Sequence, residues 1–300
     1  MDITKFELEI TSLCSLKCFA CAHTEKLKKN IPYHQIKKTF YPEFLKKMNF
    51  FSFCGARGDC IYHPEFLEII QYLKETHPGL SIKIHTNGSI HSKGWWRDLA
   101  LILNENDSVI FALDGVGDVH SVHRIGSDYE KVIRNAESFN RSGGKSFWQF
   151  IVFEHNQHQL EEAKKISLEK GFANFDPIYS RTYSQIYKKP TIDFSHLDKT
   201  ELYSCKIGDS KKDHKAFCKV DRGSLYLDCN GIVCPCCYMT VIDNRLTNPT
   251  SSKHLLEFYK NLKKLSIYHN DIEDIIKLDY FSWICRNRYF LSTCKHFCGF

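Results

Sequence analysis

The stretch Cys14-Ser-Leu-Lys-Cys18-Phe-Ala-Cys21 follows a strand-like run at residues 5–10. Cysteine thiolates are the usual ligands of iron–sulfur clusters, and a four-iron cluster takes four of them. Three thiolates would leave one iron open to a small molecule. A closed zinc site would instead need a fourth donor, for which the nearest residue is His23. The motif, called here the N-terminal cysteine motif, favours a reactive iron–sulfur centre.

The composition is that of a globular protein that binds metal. The chain has 300 residues, 43% hydrophobic and 25% charged, enough for a core and about two domains of roughly 150 residues each. Neither an apolar leader nor a run of roughly 18 apolar residues is present, so we expect a cytoplasmic protein without a membrane span. Fourteen cysteines in such a protein favour metal binding over disulfides. A net charge of +6 without a long basic block does not indicate nucleic-acid binding.

Strand-like and helix-like runs alternate over the first 180 residues, which predicts an α/β fold with parallel βα units. Apolar residues at helical spacing predict helices at 64–74, 129–140 and 157–170. Six parallel strands make most of a TIM-like barrel, so the expected fold is a partial (β/α)6 barrel within a domain of residues 1–200. The predicted strands are 5–10, 48–54, 81–86, 108–113, 146–153 and 172–179.

Polar residues follow the ends of the predicted strands. In barrels of this kind the chemistry lies at the C-terminal ends of the strands, so one face should gather these residues. They are Cys14, the segment Cys54 to Asp59, Thr86-Asn87-Gly88, Asp114-Gly115 and His155-Asn156.

Residues 201–300 form a second, cysteine-dense region, whose first residues belong to a polar connector at 181–205. Within it, residues 225–235 predict a hairpin in which Asn230-Gly231 supplies the two positive φ angles of a type I′ turn. If Cys229 pairs with Ile232, one face of the hairpin carries Leu225, Leu227, Cys229, Ile232, Cys234 and Cys236.

The spacing of Cys14, Cys18 and Cys21 resembles the signature of the radical S-adenosylmethionine (SAM) enzymes, and the resemblance extends over nearly the whole chain. It implies that the three cysteines hold a [4Fe–4S] cluster and that SAM binds the open iron. An electron from the cluster would cleave SAM to methionine and a 5′-deoxyadenosyl radical. That radical would abstract hydrogen from a substrate.

Two further segments resemble SAM-binding regions of this family. The segment from Gly55 to Cys60 resembles Gly-Gly-Glu-Pro, which implies that Gly58 and Asp59 receive the methionine amino group. Asp114-Gly115 followed by His120-Ser-Val-His-Arg124 resembles the region that binds the SAM carboxylate, with Arg124 as the ligand. Three positions depart from the family pattern: Ala20 where an aromatic residue is common, Cys60 where proline is usual, and Ala112 where serine is usual.

Thr86, Asn87 and Asn156 are candidates to hydrogen-bond the ribose or adenine of SAM. Stabilisation of the turns at the strand ends explains the same residues equally well. Acid or base catalysts are not identified by the sequence, because Tyr62, His63, His120 and His123 near the barrel mouth are typical of hydrogen-bonded structural residues.

Cys218, Gly231 and Cys236 resemble the opening of the auxiliary-cluster modules named SPASM and twitch, and Cys294 and Cys298 resemble their closing pair. This implies a second [4Fe–4S] cluster on Cys218, Cys236, Cys294 and Cys298. Zinc on the same residues, or with His296, is the alternative. Five other cysteines remain as substitutes or as small buried hydrophobic residues. They are Cys205, Cys229, Cys234, Cys237 and Cys285.

The resemblance implies a net oxidation or modification of either a peptide or a sugar or aminocyclitol. A flavodoxin- or ferredoxin-like protein would supply the electron. A non-catalytic iron–sulfur or zinc protein with a redox or binding role is the alternative from a different class.

Overall fold

Six adjacent parallel strands form most of the main sheet in the computed structural model. The structure describes residues 2–19, 21, 27–180, 182–194, 218–239, 241–242, 245–246, 262–287, 289, 291 and 294. Each strand lies within a predicted run, so the partial-barrel prediction is confirmed. The strands are β1 Lys5–Leu8, β2 Phe50–Phe53, β3 Ser81–Thr86, β4 Ser108–Ala112, β5 Ser146–Val152 and β6 Asn174–Tyr179.

Helices connect the strands. The three predicted helices are present, with ends shifted by a few residues. They are α3 Phe66–Thr76, α6 Tyr129–Arg141 and α7 Leu160–Glu169. Four more were not predicted: α1 Tyr33–Thr39, α2 Pro42–Leu45, α4 Lys93–Ile102 and α5 Asp118–His123.

One face of the sheet packs on the helices, and its residues alternate along the strands. Phe6 contacts Phe40 beside α1 at a ring distance of 5.4 Å, and Phe53 contacts Phe66 of α3 at 5.5 Å. Phe111 of β4 likewise packs on the helical layer. The intervening residues, such as Glu7, Ser52 and Lys83, therefore point to the opposite face, the interior of the partial barrel.

The C-terminal region joins the same sheet. Strand β7 Ser224–Leu227 pairs in parallel with β1, and β8 Val233–Cys234 pairs antiparallel with β7, which gives an eight-stranded sheet. Smaller elements follow: β9 Val241–Ile242 and β10 Arg245–Leu246, then helices α8 Ile272–Ile276 and α9 Asp279–Asn287. The proposed boundary between residues 200 and 201 stays a prediction, since residues 195–217 lie outside the described part of the chain.

The predicted register of the hairpin is wrong by one residue. Leu227 pairs with Val233, and Tyr226 pairs with Cys234. A side-chain oxygen of Asp228 accepts hydrogen bonds from the backbone N–H groups of Asn230 and Ile232, at 2.9 and 3.0 Å. Gly231 has φ of +77°, while Asn230 is not in the positive region. An aspartate turn with one left-handed glycine thus replaces the type I′ turn. The shared face predicted from Leu225 to Cys236 is consequently wrong as well.

Within the described residues, none of the helices has the length and apolar character that crossing a membrane requires.

Candidate functional site

The loop after β1 carries Cys14 to the end of β3. The Cys14 sulfur accepts hydrogen bonds from the side-chain amide of Asn87 at 3.4 Å and from the backbone N–H of Leu16 at 3.5 Å. Burial raises the pKa of the Cys14 thiol to about 12, although the Leu16 N–H acts in the opposite direction. Both donors stabilise negative charge on this sulfur.

Cys18 lies beside the cation that follows α5. The guanidinium of Arg124 donates a hydrogen bond to the Cys18 sulfur and also pairs with Asp114, through Nε at 2.5 Å from Oδ2. Burial raises the pKa of Cys18, and the charge of Arg124 opposes that shift. Arg124 therefore links the N-terminal cysteine motif to the end of β4.

The Asp114 carboxylate is fully buried and well supplied with donors. His123 Nδ1 lies 2.6 Å from Oδ2, and the backbone N–H of Ile151 donates to Oδ1 at 2.7 Å. Burial alone would raise the pKa of Asp114. Arg124, His123 and the Ile151 N–H outweigh it and hold the pKa well below the ordinary range. At neutral pH the ionised carboxylate thus fixes Arg124 against Cys18.

Asp114→Asn is expected to lower the free energy of unfolding by about 1–3 kcal/mol at neutral pH. The folded-state pKa of Asp114 is depressed, so its stabilising contribution is complete above the unfolded-state pKa of about 3.9 and is lost as the pH falls through the folded-state pKa. Urea denaturation of both proteins should show the difference shrinking below about pH 4. A difference that does not change with pH would contradict this explanation.

The loop after β2 organises the neighbouring strand ends through Asp59. Its carboxylate accepts hydrogen bonds from the backbone N–H of Asn87 at 2.6 Å and from the Thr86 hydroxyl at 3.1 Å. A third comes from the N–H of Ile61 at 3.3 Å. Burial raises the pKa of Asp59 to about 6 in spite of these donors.

Gly58 lets the same loop approach the chain that leads into the N-terminal cysteine motif. A Cβ at this position would lie 2.3 Å from the carbonyl oxygen of Thr11 and 2.7 Å from the carbonyl carbon of Ser12. Both neighbours are backbone atoms, so a side chain here would force the two loops apart.

Gly58→Ala is expected to destabilise the protein by about 1–3 kcal/mol, the range for overpacking. Gly94→Ala is the matched control. Gly94 lies in the first turn of α4, where an added Cβ has as its nearest neighbour the Ser92 hydroxyl oxygen at 3.6 Å. Thermal or urea unfolding should show the loss for Gly58→Ala and no loss for Gly94→Ala. Equal stabilities of the two variants would contradict the close approach.

A buried cluster of charged side chains, which was not predicted, includes Arg57 of the loop after β2. Arg57 is 2% exposed and binds both oxygens of Glu9, through its backbone N–H at 2.5 Å and its guanidinium at 2.6 Å. The guanidinium also lies 3.3 Å from a carboxylate oxygen of Asp228, which follows β7. The cluster connects β1, the β2 loop and the C-terminal hairpin.

The thiols of the N-terminal cysteine motif are spread out. Cys14 and Cys18 are half-buried, Cys21 is exposed, and none of the three forms a disulfide. Although all three cysteines are among the described residues, their sulfurs do not all lie within 4.8 Å of one another. A single zinc ion with Zn–S bonds of 2.3 Å would hold its sulfurs about 3.8 Å apart. Ligands on different irons of a cluster lie further apart, so the arrangement fits a cluster better than one zinc.

Comparison with known proteins identifies the family. A family model described as "Radical SAM superfamily" matches residues 8–165, more than half of the chain. The chain belongs to the radical SAM superfamily. Members of this superfamily are enzymes that use a [4Fe–4S] cluster and SAM. A search of curated proteins gave no match.

Solved radical SAM structures share the fold. Streptococcus suis SuiB bound to precursor peptide SuiA has a TM-score of 0.67 and 14% identity over 98% of this chain and 70% of that chain. Native anSMEcpe with bound AdoMet and Kp18Cys peptide has a TM-score of 0.63 and 17% identity over 98% and 87%. SuiB bound to S-adenosylmethionine has a TM-score of 0.60 and 14% identity over 82% of this chain. The chain spans 63% of that SuiB chain, and identities this low show the fold alone.

The residues expected to contact SAM come together at the strand ends, but several already have partners. Asn156 uses its whole amide on the backbone of Phe153, Asp114 and Ile151. Asn87 donates to Cys14 and accepts from the N–H of Ser89. These hydrogen bonds agree with the alternative role given above for Asn87 and Asn156, the stabilisation of turns at the strand ends. Hydrogen bonds from Asn87 and Asn156 to SAM stay predictions.

The auxiliary-cluster cysteines are only partly within the described residues. Cys218 and Cys294 are buried, and Cys236 is half-buried. Cys298 lies outside the described residues, as does His296. The ligand set of a second cluster therefore stays a prediction.

Proposed function

We propose that this protein reductively cleaves SAM at the N-terminal cysteine motif and modifies a peptide by removing hydrogen from one of its C–H bonds. The observation that carries the proposal is the meeting of Cys14, Cys18, Asn87, Asp114 and Arg124 at the C-terminal ends of parallel strands. Cys14, Cys18 and Cys21 would hold the [4Fe–4S] cluster. When bound there, cluster and SAM would supply the electron and the adenosyl radical that takes the hydrogen.

The chain's own residues prepare this site in three ways. Asn87 and the Leu16 N–H stabilise charge on Cys14, and Arg124 does the same for Cys18. Asp114 holds Arg124 in place and leaves its remaining donors for a second anion. A guanidinium in this position suits the carboxylate of SAM, in agreement with the role expected from the resemblance.

Polar side chains on the interior face of the sheet support a polar substrate. Gln149 of β5 is 9% exposed, and its Nε2 has no hydrogen-bond partner among the residues that the structure describes. Gln149 pairs in register with Ala112, two residues before Asp114, so this amide lies just below the site. A buried donor without a partner is costly, and a carbonyl oxygen of a peptide would satisfy it. Lys83 and Asp176 add charge to the same face, and burial lowers the pKa of Lys83.

Structures of the same fold bound to peptides agree with this substrate class, since SuiB is seen with a precursor peptide and anSMEcpe with Kp18Cys peptide. Oxidation of a sugar or aminocyclitol remains the other prediction. The electron donor, a flavodoxin- or ferredoxin-like protein, is part of the proposal, and dithionite replaces it in an assay.

The test uses anaerobically reconstituted protein, SAM and dithionite. Formation of 5′-deoxyadenosine supports the reaction, and its absence in protein that holds iron would refute it. Deuterated candidate peptides and deuterated sugars then distinguish the substrates. Deuterium that appears in 5′-deoxyadenosine only from sugars would refute the peptide proposal while the cleavage of SAM stands.

A further inference from the structure

Two cysteines from distant parts of the C-terminal region meet an aspartate. Cys218 and Asp221 lie in the turn before β7, and Cys285 lies on α9. The two sulfurs and a carboxylate oxygen of Asp221 all lie within 4.8 Å of one another. Both cysteines are buried, and Asp221 is exposed. Among the described residues, no other group of three cysteine, histidine or acidic side chains has its ligand atoms this close together.

The fold fixes the position of the turn that carries Cys218 and Asp221. The N–H of Arg222 donates to the carbonyl oxygen of Cys218 at 3.3 Å, and Ser224 N–H donates to Lys219 at 2.9 Å. The Gly223 carbonyl then accepts the N–H groups of Thr4 and Lys5, at 2.9 and 3.0 Å. The first two ligand candidates are therefore held against the start of β1.

The third candidate ligand, Cys285, is held in place by the packing of α9. Cys285 occupies the buried face of α9, together with Tyr280, Phe281 and Ile284. Its sulfur reaches Cys218 from a helix whose side chains form part of the core. The three donors come from two elements that are each packed independently of any ligand.

The spacing matches one metal ion rather than a cluster. Zn–S bonds of about 2.3 Å and Zn–O bonds of about 2.1 Å place tetrahedral ligands about 3.5–3.8 Å apart, within the limit observed here. Thiolates of a four-iron cluster bind different irons and lie further apart. Two thiolates with one carboxylate suit zinc, because soft sulfur ligands select zinc over magnesium or calcium.

We propose that Cys218, Asp221 and Cys285 bind a single zinc ion that joins the turn before β7 to α9, with a water molecule as the fourth ligand beside the exposed Asp221. The site does not depend on SAM cleavage. Cys218 is also one of the four cysteines expected for the auxiliary cluster, so a zinc ion here would take that sulfur away from such a cluster. The function of the ion is to hold the C-terminal region on the edge of the barrel sheet.

Metal analysis of the full chain tests the site. Wild type, Cys285→Ser and Cys234→Ala are purified under reducing, anaerobic conditions with zinc and iron in the medium, and both metals are counted. Cys234 is the matched control, since it is a buried cysteine of the same region whose thiol donates to the Ile232 carbonyl at 3.7 Å. Wild type and Cys234→Ala should hold about one zinc per chain. Cys285→Ser should hold none, with unchanged iron.

Asp221→Asn covers the case in which Cys285→Ser does not fold. Asp221 is exposed, so the change should leave the fold intact and release zinc to a chelator about tenfold faster or more. Unchanged zinc in Cys285→Ser, or unchanged release from Asp221→Asn, would overturn the site. Loss of about four irons instead of zinc would also overturn it, because Cys285 would then belong to a cluster. The proposed site would also be overturned if the wild-type protein held no zinc and Cys218 formed a disulfide with Cys285.

Discussion

Replacement of Cys18 by alanine is expected to remove about four iron atoms per chain and to abolish the cleavage of SAM. Cys18 is the central cysteine of the N-terminal motif and the one that accepts a hydrogen bond from Arg124. Alanine supplies no ligand, and two cysteines cannot hold a cluster that already lacks its fourth protein ligand. Iron content and 5′-deoxyadenosine formation are measured on protein reconstituted in parallel.

Cys60→Ala is the matched control for this experiment. Cys60 is 3% exposed and lies close to the site, but outside the motif, and its thiol makes a weak contact with the His85 carbonyl at 3.8 Å. The control should keep its iron and its activity. Wild-type iron in Cys18→Ala would show that the cluster uses other cysteines, and equal losses in both variants would show a general folding defect.

The strands of the barrel could be predicted because each is a short apolar run between turn residues. Ser108–Ala112 is the clearest example, and its prediction differed from the structure by one residue. Helices α1 and α2 were missed because residues 33–45 mix lysines with aromatic residues and show no sustained helical period. Their buried residues, Ile36, Phe44 and Leu45, become apparent only when packed on the sheet.

The site could be predicted where residues lie next to a strand end. Asn87 follows β3 and Asp114 follows β4, and parallel strands bring such positions to one edge. The sequence did not reveal which groups these polar side chains hydrogen-bond to. Asn156 looked available for a ligand until the structure showed its amide bonded to three backbone carbonyl and amide groups.

Arg57 could not be recognised from its own neighbourhood. Its partners Glu9 and Asp228 lie 48 and 171 residues away, and a single arginine between glycines is typical of an exposed turn. The hairpin failed for a related reason, since the Asp228 side chain changes its loop. Both errors arise from side chains that bond across or within turns, which local patterns do not reveal.

Arg57→Met is the second change with a large expected effect, a loss of about 3–5 kcal/mol in the free energy of unfolding. Methionine fills part of the space but leaves Glu9 and Asp228 buried without a cation, and both are essentially unexposed. Arg97→Met is the control, because Arg97 and its partner Asp98 are 60% and 50% exposed. Removing a surface pair should change stability by less than about 0.5 kcal/mol. Urea denaturation measures both.

The pH dependence of the Arg57→Met loss distinguishes lost charge pairing from lost packing. Burial raises the pKa of Asp228 to about 6 even with Arg57 present, although Arg57 opposes the shift. An acid with a raised folded-state pKa costs stability when ionised, so this cost falls as the pH drops from above that pKa toward the unfolded-state value of about 3.9. Without Arg57 the pKa should rise further. The stability lost in Arg57→Met should therefore be smaller at about pH 5.5 than at about pH 8. A loss of the same size at both would assign the effect to packing alone.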